Sequence, residues 1–257
     1  MKIKKDWIPL LHALRRREVE KVFEHVARPY FNNGLEVGAG DGYQTSLLMR
    51  HCKHLICTDI NFQRITGKIE SENVTYVACD AEQLMDSFTE STFDFIFSSN
   101  LLEHLPNKQA FLASVMKLLR PGGISVHIVP NRFWKFNAMV LHHLNVGLSI
   151  LEVLLSKRQD REQSVTHDNN PKGFKRYSLI RRLLWPVPHG VYQSNLEEFI
   201  QYGLDRWERE FEHAGFRSIK TVKGPVCSSY GFGFDRLRFF LEKCGFCSEY
   251  IFILEKK

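Results

Sequence analysis

Short apolar runs alternate with amphipathic stretches between residues 34 and 129. Nearly continuous apolar runs are typical of strands buried on both faces of a parallel sheet, and amphipathic stretches between them suit crossover helices. The pattern therefore predicts an α/β arrangement with five parallel strands. The runs that predict strands are Gly34–Val37, His54–Thr58, Val74–Cys79, Phe93–Ser98 and Ile124–Val129. The stretches that predict helices are Gln44–Cys52, Phe62–Glu70 and Gln109–Leu119.

The segments on either side extend this unit. Apolar residues at helical spacing in Trp7–Tyr30 predict one or two helices that cover the sheet. Residues 131–190 break the rhythm, and we expect them to form an inserted helical cap. Asn195–Ala214 predicts another amphipathic helix. Ser218–Lys223 and Ser248–Glu255 predict two more strands, so we expect a sheet of seven.

Composition and charge bound the class of protein. A chain of 257 residues with 44% hydrophobic content can bury one sizeable core. We expect one domain over 1–257, with an N-terminal helical segment at 1–30 and the cap at 131–190. The formal net charge is +6, but the basic residues fall in short clusters, so nucleic-acid binding is not indicated. No long apolar run with a small-residue cleavage site stands at the N-terminus, which predicts a cytoplasmic protein.

The six cysteines do not predict a disulfide framework. Cys52, Cys57 and Cys79 fall in predicted strands or helix ends, as the buried thiols of proteins in a reducing compartment do. Cys244 and Cys247 have the spacing of a redox or zinc half-site, but no second pair with suitable spacing is nearby and no strand precedes them. We therefore expect no functional role for this pair.

The first strand runs into a glycine-rich turn, Glu36-Val37-Gly38-Ala39-Gly40-Asp41-Gly42. Glycines at a strand-to-helix turn allow a sharp bend and a close approach of a ligand to the backbone. A dinucleotide would place its pyrophosphate near Glu36 and Asp41, which would repel it. The turn therefore predicts a nucleotide-like ligand that carries positive groups rather than phosphates.

Acidic and polar side chains also end the following strands. Asp59 and Ile60 follow the second strand, and Asp80 and Ala81 follow the third. Either aspartate by itself could be a helix cap. Together with the glycine turn, however, they share the carboxyl edge of the sheet, where open α/β folds bind ligands. The segment Asp94–Leu105 comprises most of the fourth strand and the loop that follows it. This loop includes Ser99 and Asn100.

These features, in this order, resemble the class I S-adenosylmethionine-dependent methyltransferases over residues 30–130 and 195–257. The resemblance implies a Rossmann-like, mostly parallel seven-stranded sheet with helices on both faces, and S-adenosylmethionine as the cofactor. It implies that Asp59 binds the ribose hydroxyls and that Asp80 lies beside the adenine amino group. The predicted cofactor-binding residues are Glu36, Gly38, Ala39, Gly40, Gly42, Asp59, Ile60, Asp80, Ala81, Ser99 and Asn100.

Methyl transfer to a hydroxyl needs a base, and histidine is the best suited side chain at neutral pH. His104 follows the fourth strand at the cofactor edge, although the family's Glu-His-Leu segment often has a purely structural role. His189 and Tyr192 lie in a loop that is stiffened by prolines. Two interpretations are open: the loop closes over the acceptor, or it is an ordinary connection. His104, His189 and Tyr192 are the catalytic candidates. We read His127 as a residue of the core.

The apolar stretch Ala138–Leu155 is interrupted by polar residues, so it does not predict a membrane span. It is either a buried lid helix or an amphipathic helix lying on a membrane, flanked by Lys157-Arg158 and echoed by Ile180–Trp185. We favour the lid, with at most peripheral membrane contact. The histidines show no spaced set with acidic partners, so we expect no metal.

The sequence thus predicts methyl transfer by in-line displacement to oxygen or nitrogen of a small-molecule, lipid-linked or sugar-linked acceptor. A hydrophobic acceptor fits either reading of the apolar stretch. The alternatives are a nucleic-acid methyltransferase and a noncatalytic protein that binds S-adenosylmethionine. A dinucleotide oxidoreductase would have Gly-x-Gly-x-x-Gly, whereas this chain has Gly-x-Gly-x-Gly. The acceptor and the oligomeric state are left open.

Overall fold

A mixed sheet of seven strands runs through the computed structural model, which describes residues 6–156, 184–227 and 230–257. The strand order is β3-β2-β1-β4-β5-β7-β6. The first five strands are parallel, and β7 pairs antiparallel with both β5 and β6. The predicted Rossmann-like fold class is confirmed. The strands are β1 Phe31–Val37, β2 Cys52–Asp59, β3 Val74–Ala78, β4 Phe93–Ser99, β5 Leu119–Pro130, β6 Phe216–Lys223 and β7 Glu249–Lys256.

Helices cover both faces of the sheet. Two begin with side-chain caps: Asn107 accepts a hydrogen bond from the Ala110 amide, and Ser194 accepts one from the Glu197 amide. The α-helices of the described residues are α1 Trp7–His25, α2 Thr45–Leu48, α3 Lys108–Leu118, α4 Arg132–Ser156, α5 Asn195–Gln201, α6 Leu204–His213 and α7 Asp235–Lys243. Short 3-10 helices are Met49–His51, Phe62–Arg64, Ala81–Asp86 and Leu102–His104.

The core lies in two layers, one on each face of the sheet. Alternate residues of β4 point to opposite faces, so Ile96 packs in one layer and Phe95 and Phe97 pack in the other. The first layer holds α3 and α6 through side chains such as Phe111 and Trp207. The second layer holds α1. Both faces of β4 are therefore buried, and its carboxyl end is held rigidly at the centre of the sheet.

Two predicted helices differ from the observed structure. Phe62–Glu70 contains only the 3-10 turn Phe62–Arg64, because the chain then returns to the glycine turn, where the Gly67 amide donates to the Asp41 carbonyl. The second, Asn195–Ala214, is two helices, α5 and α6, separated at Gly203. A Cβ on Gly203 would lie 2.3 Å from the Arg132 guanidinium, so the backbone turns where that side chain packs. Helix α7 has no counterpart among the helices predicted from the sequence.

The apolar stretch predicted as a lid lies within α4. His142 on this helix is buried, and its Nδ1 lies 3.0 Å from the Tyr230 hydroxyl. The described helices include none that is both long and apolar enough to cross a bilayer. The flanking basic pair Lys157-Arg158 and most of Ile180–Trp185 lie outside the described residues, as does much of the predicted cap at 131–190.

Candidate active site

The glycine turn leaves β1 in a conformation that favours glycine. Gly38, Gly40 and Gly42 have φ angles of +77°, +61° and +84°. The amides of Gly38 and Ala39 donate to the Thr58 carbonyl at 2.8 and 2.9 Å, which joins the turn to the end of β2. The turn is thereby fixed against the neighbouring strand, and its backbone faces the carboxyl edge of the sheet.

Asp59 is the side chain that connects the turn with the next loop. Its carboxylate is nearly buried and accepts hydrogen bonds from the Gly40 amide at 2.9 Å and the Asn61 amide at 2.8 Å. Each oxygen has accepted one hydrogen bond, and a carboxylate has about four acceptor positions. The side chain is thus held in place and can still accept two hydroxyls, as ribose binding requires.

Asp80 has a structural partner as well as a place in the site. Its Oδ1 accepts a hydrogen bond from the Glu82 amide at 2.9 Å and so caps the 3-10 helix Ala81–Asp86. The cap reading of this residue is therefore correct. It does not compete with the adenine role, because Asp80 also lines the cavity described next.

A cavity of about 810 Å³ lies along this edge of the sheet. Most of the predicted cofactor residues meet there. Those in its wall are Gly38, Ala39, Gly40, Asp59, Ile60, Asp80, Ala81, Ser99 and Asn100. Glu36 lies beneath the turn instead, where it accepts a hydrogen bond from the Thr45 hydroxyl at 2.5 Å and burial raises its pKa to about 7. Gly42 is also set apart, against Ile65 and Gly67.

Helix α1 closes the cavity from the side, which sequence reasoning did not foresee. Leu11, His12 and Arg15 belong to its wall. His12 Nε2 lies 2.8 Å from Asp41 Oδ2. Partial burial by itself raises the pKa of Asp41, but the hydrogen bonds from His12 and the Tyr43 amide outweigh it and lower the pKa. Arg15-Arg16-Arg17 was visible in the sequence only as a charge cluster.

Arg15 ties α1 to the end of β4. Its Nη1 donates to both carboxylate oxygens of the buried Glu18 at 2.9 Å and to the Ser99 hydroxyl at 2.8 Å. The next residue, Asn100, has a φ angle of +50°, a strained conformation for a residue other than glycine. Such strain persists where the surroundings hold the backbone, and here the Asn100 amide donates to the Ile128 carbonyl at 2.8 Å.

A second cavity, of about 500 Å³, lies next to the first. Apolar side chains from three separate segments form much of its wall, among them Leu14, Trp134 and Val187. Glu249 and Tyr230 add polar groups. The residues common to both cavities are Leu11, Arg15, Arg64, Asn100, His104 and His189. The two cavities are therefore adjacent, and both candidate histidines belong to the wall that they share.

His104 and His189 face each other at this junction. Their ring centroids are 4.6 Å apart in an edge-on arrangement, and the Trp134 ring is 5.1 Å from that of His189. Burial, with smaller effects from the nearby His104 and Lys135, lowers the pKa of His189 to about 4. Burial also lowers the pKa of His104, with a smaller effect from Arg64. Both imidazoles are therefore neutral at physiological pH.

The loop that carries His189 is held from both sides. The His189 backbone amide donates to Glu198 Oε2 at 3.0 Å. The same oxygen accepts a hydrogen bond from the buried Lys135 Nζ at 2.5 Å. Gly190 has a φ of +74°, and a Cβ there would lie 2.1 Å from the Glu103 carbonyl. This contact requires glycine, and it places His189 directly over the loop that carries His104.

The third candidate, Tyr192, and the predicted core residue His127 lie away from the junction. Tyr192 packs against the core, 5.7 Å from the Tyr202 ring, and burial raises the pKa of its hydroxyl. His127 is fully buried in β5 and lies 2.8 Å from the Ser98 hydroxyl, as expected for a residue of the core.

Comparison with known proteins finds methyltransferases that are similar to this chain. Residues 35–127 match the profile of the family described as "Methyltransferase domain". The chain is 28% identical over 112 residues to a ubiquinone biosynthesis O-methyltransferase of Rhizobium rhizogenes, covering 42% of this chain and 44% of that protein. It is 25% identical over 171 residues to a tRNA 5-carboxymethoxyuridine methyltransferase of Escherichia coli, covering 63% of each.

The fold shows the same likeness over nearly the whole chain. A SAM-dependent methyltransferase from Aquifex aeolicus superposes with a TM-score of 0.54 at 15% identity, over 96% of this chain and 95% of that one. Residues 35–127 are therefore similar to the methyltransferase domain of the class I S-adenosylmethionine-dependent methyltransferases. S-adenosylmethionine is the cofactor of this class, in agreement with the sequence prediction. The chain spans less than half the length of the ubiquinone relatives that it matches.

Proposed function

We propose that this protein transfers a methyl group from S-adenosylmethionine to a small amphipathic acceptor. The observation that carries the proposal is the pair of adjacent cavities that share Asn100, His104 and His189 in their walls. One cavity has the glycine turn and acidic strand ends suited to the cofactor. The other is large enough for a small molecule and lies directly beside the first.

The residues present fit the cofactor. Asp59 retains acceptor positions for two hydroxyls, Asp80 lies at the neighbouring strand end, and the backbone of the glycine turn lies open to a ligand. When bound, S-adenosylmethionine supplies an electrophilic methyl group on a sulfonium. The chain has to hold the acceptor in line with the bond that breaks, which by itself gives much of the rate.

The histidines supply what a hydroxyl or amine acceptor needs next. As the new bond to carbon forms, the acceptor atom must lose its proton. Neutral imidazoles within the shared wall suit that step, since a protonated histidine has no free lone pair. His189, held by Glu198 and Gly190, is the better fixed of the two. Tyr192 lies behind this loop, and we give it a packing role.

The acceptor cavity also suggests which molecules enter it. Pro186 and Val187 belong both to this cavity and to an adjoining apolar groove of about 470 Å³. The groove is lined further by Phe136, Met139 and Leu196. Exposed apolar side chains continue along α4, such as Val140 and Leu144. An acceptor with a polar end at the histidines and an apolar part in the groove fits this arrangement, and a lipid-linked or other hydrophobic metabolite has that form.

The test begins with binding and ends with turnover. Calorimetry should show binding of S-adenosylmethionine and S-adenosylhomocysteine but not of NAD. The protein and methyl-labelled cofactor are then incubated with fractionated metabolites, with lipid extracts and with tRNA. We expect label in an amphipathic metabolite or lipid fraction. Label in tRNA alone would contradict the acceptor class, and cofactor binding without labelling of any fraction would favour a noncatalytic protein.

A further inference from the structure

Glu103 is fully buried next to the site, and among the described residues neither of its carboxylate oxygens has a hydrogen-bond partner. Leaving a buried carboxylate unpaired is costly, so such a group usually indicates a missing partner. Glu103 and His104 are adjacent in the 3-10 turn Leu102–His104, and Glu103 Oε1 lies 3.9 Å from His104 Nε2.

His189 completes a three-residue cluster. One ligand atom each from Glu103, His104 and His189 lie within 4.8 Å of one another. We propose that these three side chains bind a divalent transition-metal ion at the junction of the two cavities. Metal–ligand distances are about 2.0–2.2 Å for imidazole nitrogen and carboxylate oxygen, so small rotations of the side chains would complete the coordination.

Charged groups of both signs surround the cluster. Arg15, Lys108 and the negative Glu198 act on Glu103, and Arg64 acts on His104. Lys135 acts on His189, but its charge is balanced by Glu198, which lies 2.5 Å away.

The donor set indicates which metals would bind. Two imidazoles and one carboxylate suit zinc, cobalt, iron or manganese better than magnesium, which prefers oxygen ligands. Three protein ligands leave coordination positions open, and both histidines are part of the cavity walls. A metal there would bind the acceptor's oxygen and lower the pKa of its hydroxyl, a role that rests on the proposed function. The histidines would then act as ligands rather than as bases, and the hydroxyl proton would be released to solvent water.

Binding is measured first, without turnover. The chelator-treated protein is titrated with Co²⁺, with Zn²⁺ and with Mg²⁺ by calorimetry, and the visible spectrum of the Co²⁺ form is recorded. We expect one Co²⁺ or Zn²⁺ ion per chain, weak binding of Mg²⁺ and no thiolate charge-transfer band. A thiolate band would instead place the ion on a cysteine such as Cys244, and the absence of Co²⁺ and Zn²⁺ binding would overturn the proposal.

Variants locate the site. Glu103→Gln and His189→Ala should each weaken Co²⁺ binding by about 10-fold or more, since each removes one of three ligands. His54→Ala, which removes an exposed histidine on β2, should leave it unchanged. S-adenosylmethionine binding in every variant verifies the fold, and His189→Ala serves if Glu103→Gln does not fold. Equal Co²⁺ binding by both variants and the wild type would overturn the assignment.

Turnover separates this proposal from the proposed function. If methyl transfer persists in the chelated, metal-free protein, the catalytic role of the metal is overturned and the methyltransferase assignment stands. If one ion binds through these residues but no fraction accepts label, the metal site stands and the proposed function fails.

Discussion

The wall that faces the cofactor and the wall that faces the acceptor are built in different ways. The first consists of strand ends joined by backbone hydrogen bonds, such as those of Gly38 and Ala39 to Thr58. The second consists of side chains from α1, α4 and residues 184–190, brought together by packing and by buried polar contacts such as Lys135–Glu198. The cofactor wall is part of the sheet, whereas the acceptor wall depends on segments that only tertiary structure brings together.

Of the substitutions considered, loss of the Asp59 carboxylate should weaken cofactor binding most. In Asp59→Ala the Gly40 amide loses its hydrogen-bond acceptor, and the two ribose hydroxyls lose the carboxylate that would accept from them. Affinity for S-adenosylmethionine should therefore fall about 100-fold, which is the effect of about two hydrogen bonds to a charged group. Calorimetry measures the change. Asp86→Ala, an exposed aspartate in a neighbouring turn, is the matched control and should bind normally. An affinity within threefold of wild type in Asp59→Ala would show that the ribose assignment is wrong.

A substitution at Gly190 should impair the acceptor wall and leave the cofactor wall intact. In Gly190→Ala the new Cβ meets the Glu103 carbonyl at a positive φ, so the His189 loop must move. We expect methyl transfer to fall by about 10-fold or more, as misplacement of a positioning group does, with cofactor affinity nearly unchanged.

The control for Gly190→Ala is Gly147→Ala. Gly147 lies on the exposed side of α4 with no atom within 4 Å of the added Cβ, so this variant should gain about 0.5–1 kcal/mol of helix stability and keep its activity. If Gly190→Ala loses cofactor affinity as much as activity, the two walls are not independent.

Acid should also affect the acceptor wall in a specific pH range. The pKa of His189 is lowered to about 4 by burial, whereas the unfolded chain has an ordinary histidine pKa of about 6.5. A lowered pKa in the folded state means that the contribution of His189 to stability is fully present above pH 6.5 and is lost as pH falls towards 4.

NMR titration of the histidine ring signals measures this directly. The signal assigned by comparison with His189→Ala should remain that of neutral imidazole down to about pH 5 in the folded protein and titrate near pH 6.5 in urea. Titration near pH 6.5 in the folded protein would show that the ring is solvated, contrary to the burial that lowers its pKa.

The smallest effect is expected in the apolar groove. Leu196→Glu places a charge in its lining, so KM for an acceptor with an apolar tail should rise several-fold while KM for a short analogue stays the same. Leu237→Glu, at another exposed leucine, on α7, is the control. An equal rise for both acceptors would indicate that the groove does not hold the tail.

Hydrophobic patterning located the strands well. The predicted run His54–Thr58 lies inside β2, and Phe93–Ser98 differs from β4 by one residue. Patterning performed worse for helices, because Phe62–Glu70 has helical spacing but its backbone is drawn to the glycine turn through Gly67. Periodicity records which residues are buried. It does not record that a nearby loop competes for the same backbone groups.

Some residues of the candidate site could likewise be predicted from the sequence, and others could not. Glycines and acidic residues at successive strand ends were recognisable from the sequence, because parallel strands necessarily bring their carboxyl ends to one edge. His104 and His189 were both candidates, but their sequence positions do not show that they meet. The contribution of Arg15 and the unpaired carboxylate of Glu103 had no sequence signal, since both depend on which helix covers the sheet edge.

The sequence by itself determined the sheet, the glycine turn and the cofactor edge, because each depends on local backbone geometry and on the fixed direction of parallel strands. Tertiary structure alone decided the acceptor wall and the cluster of Glu103, His104 and His189. Those side chains come from segments far apart in the chain, and their distances depend on packing contacts such as the approach of Gly190 to the Glu103 carbonyl. Such contacts leave no periodic pattern in the sequence.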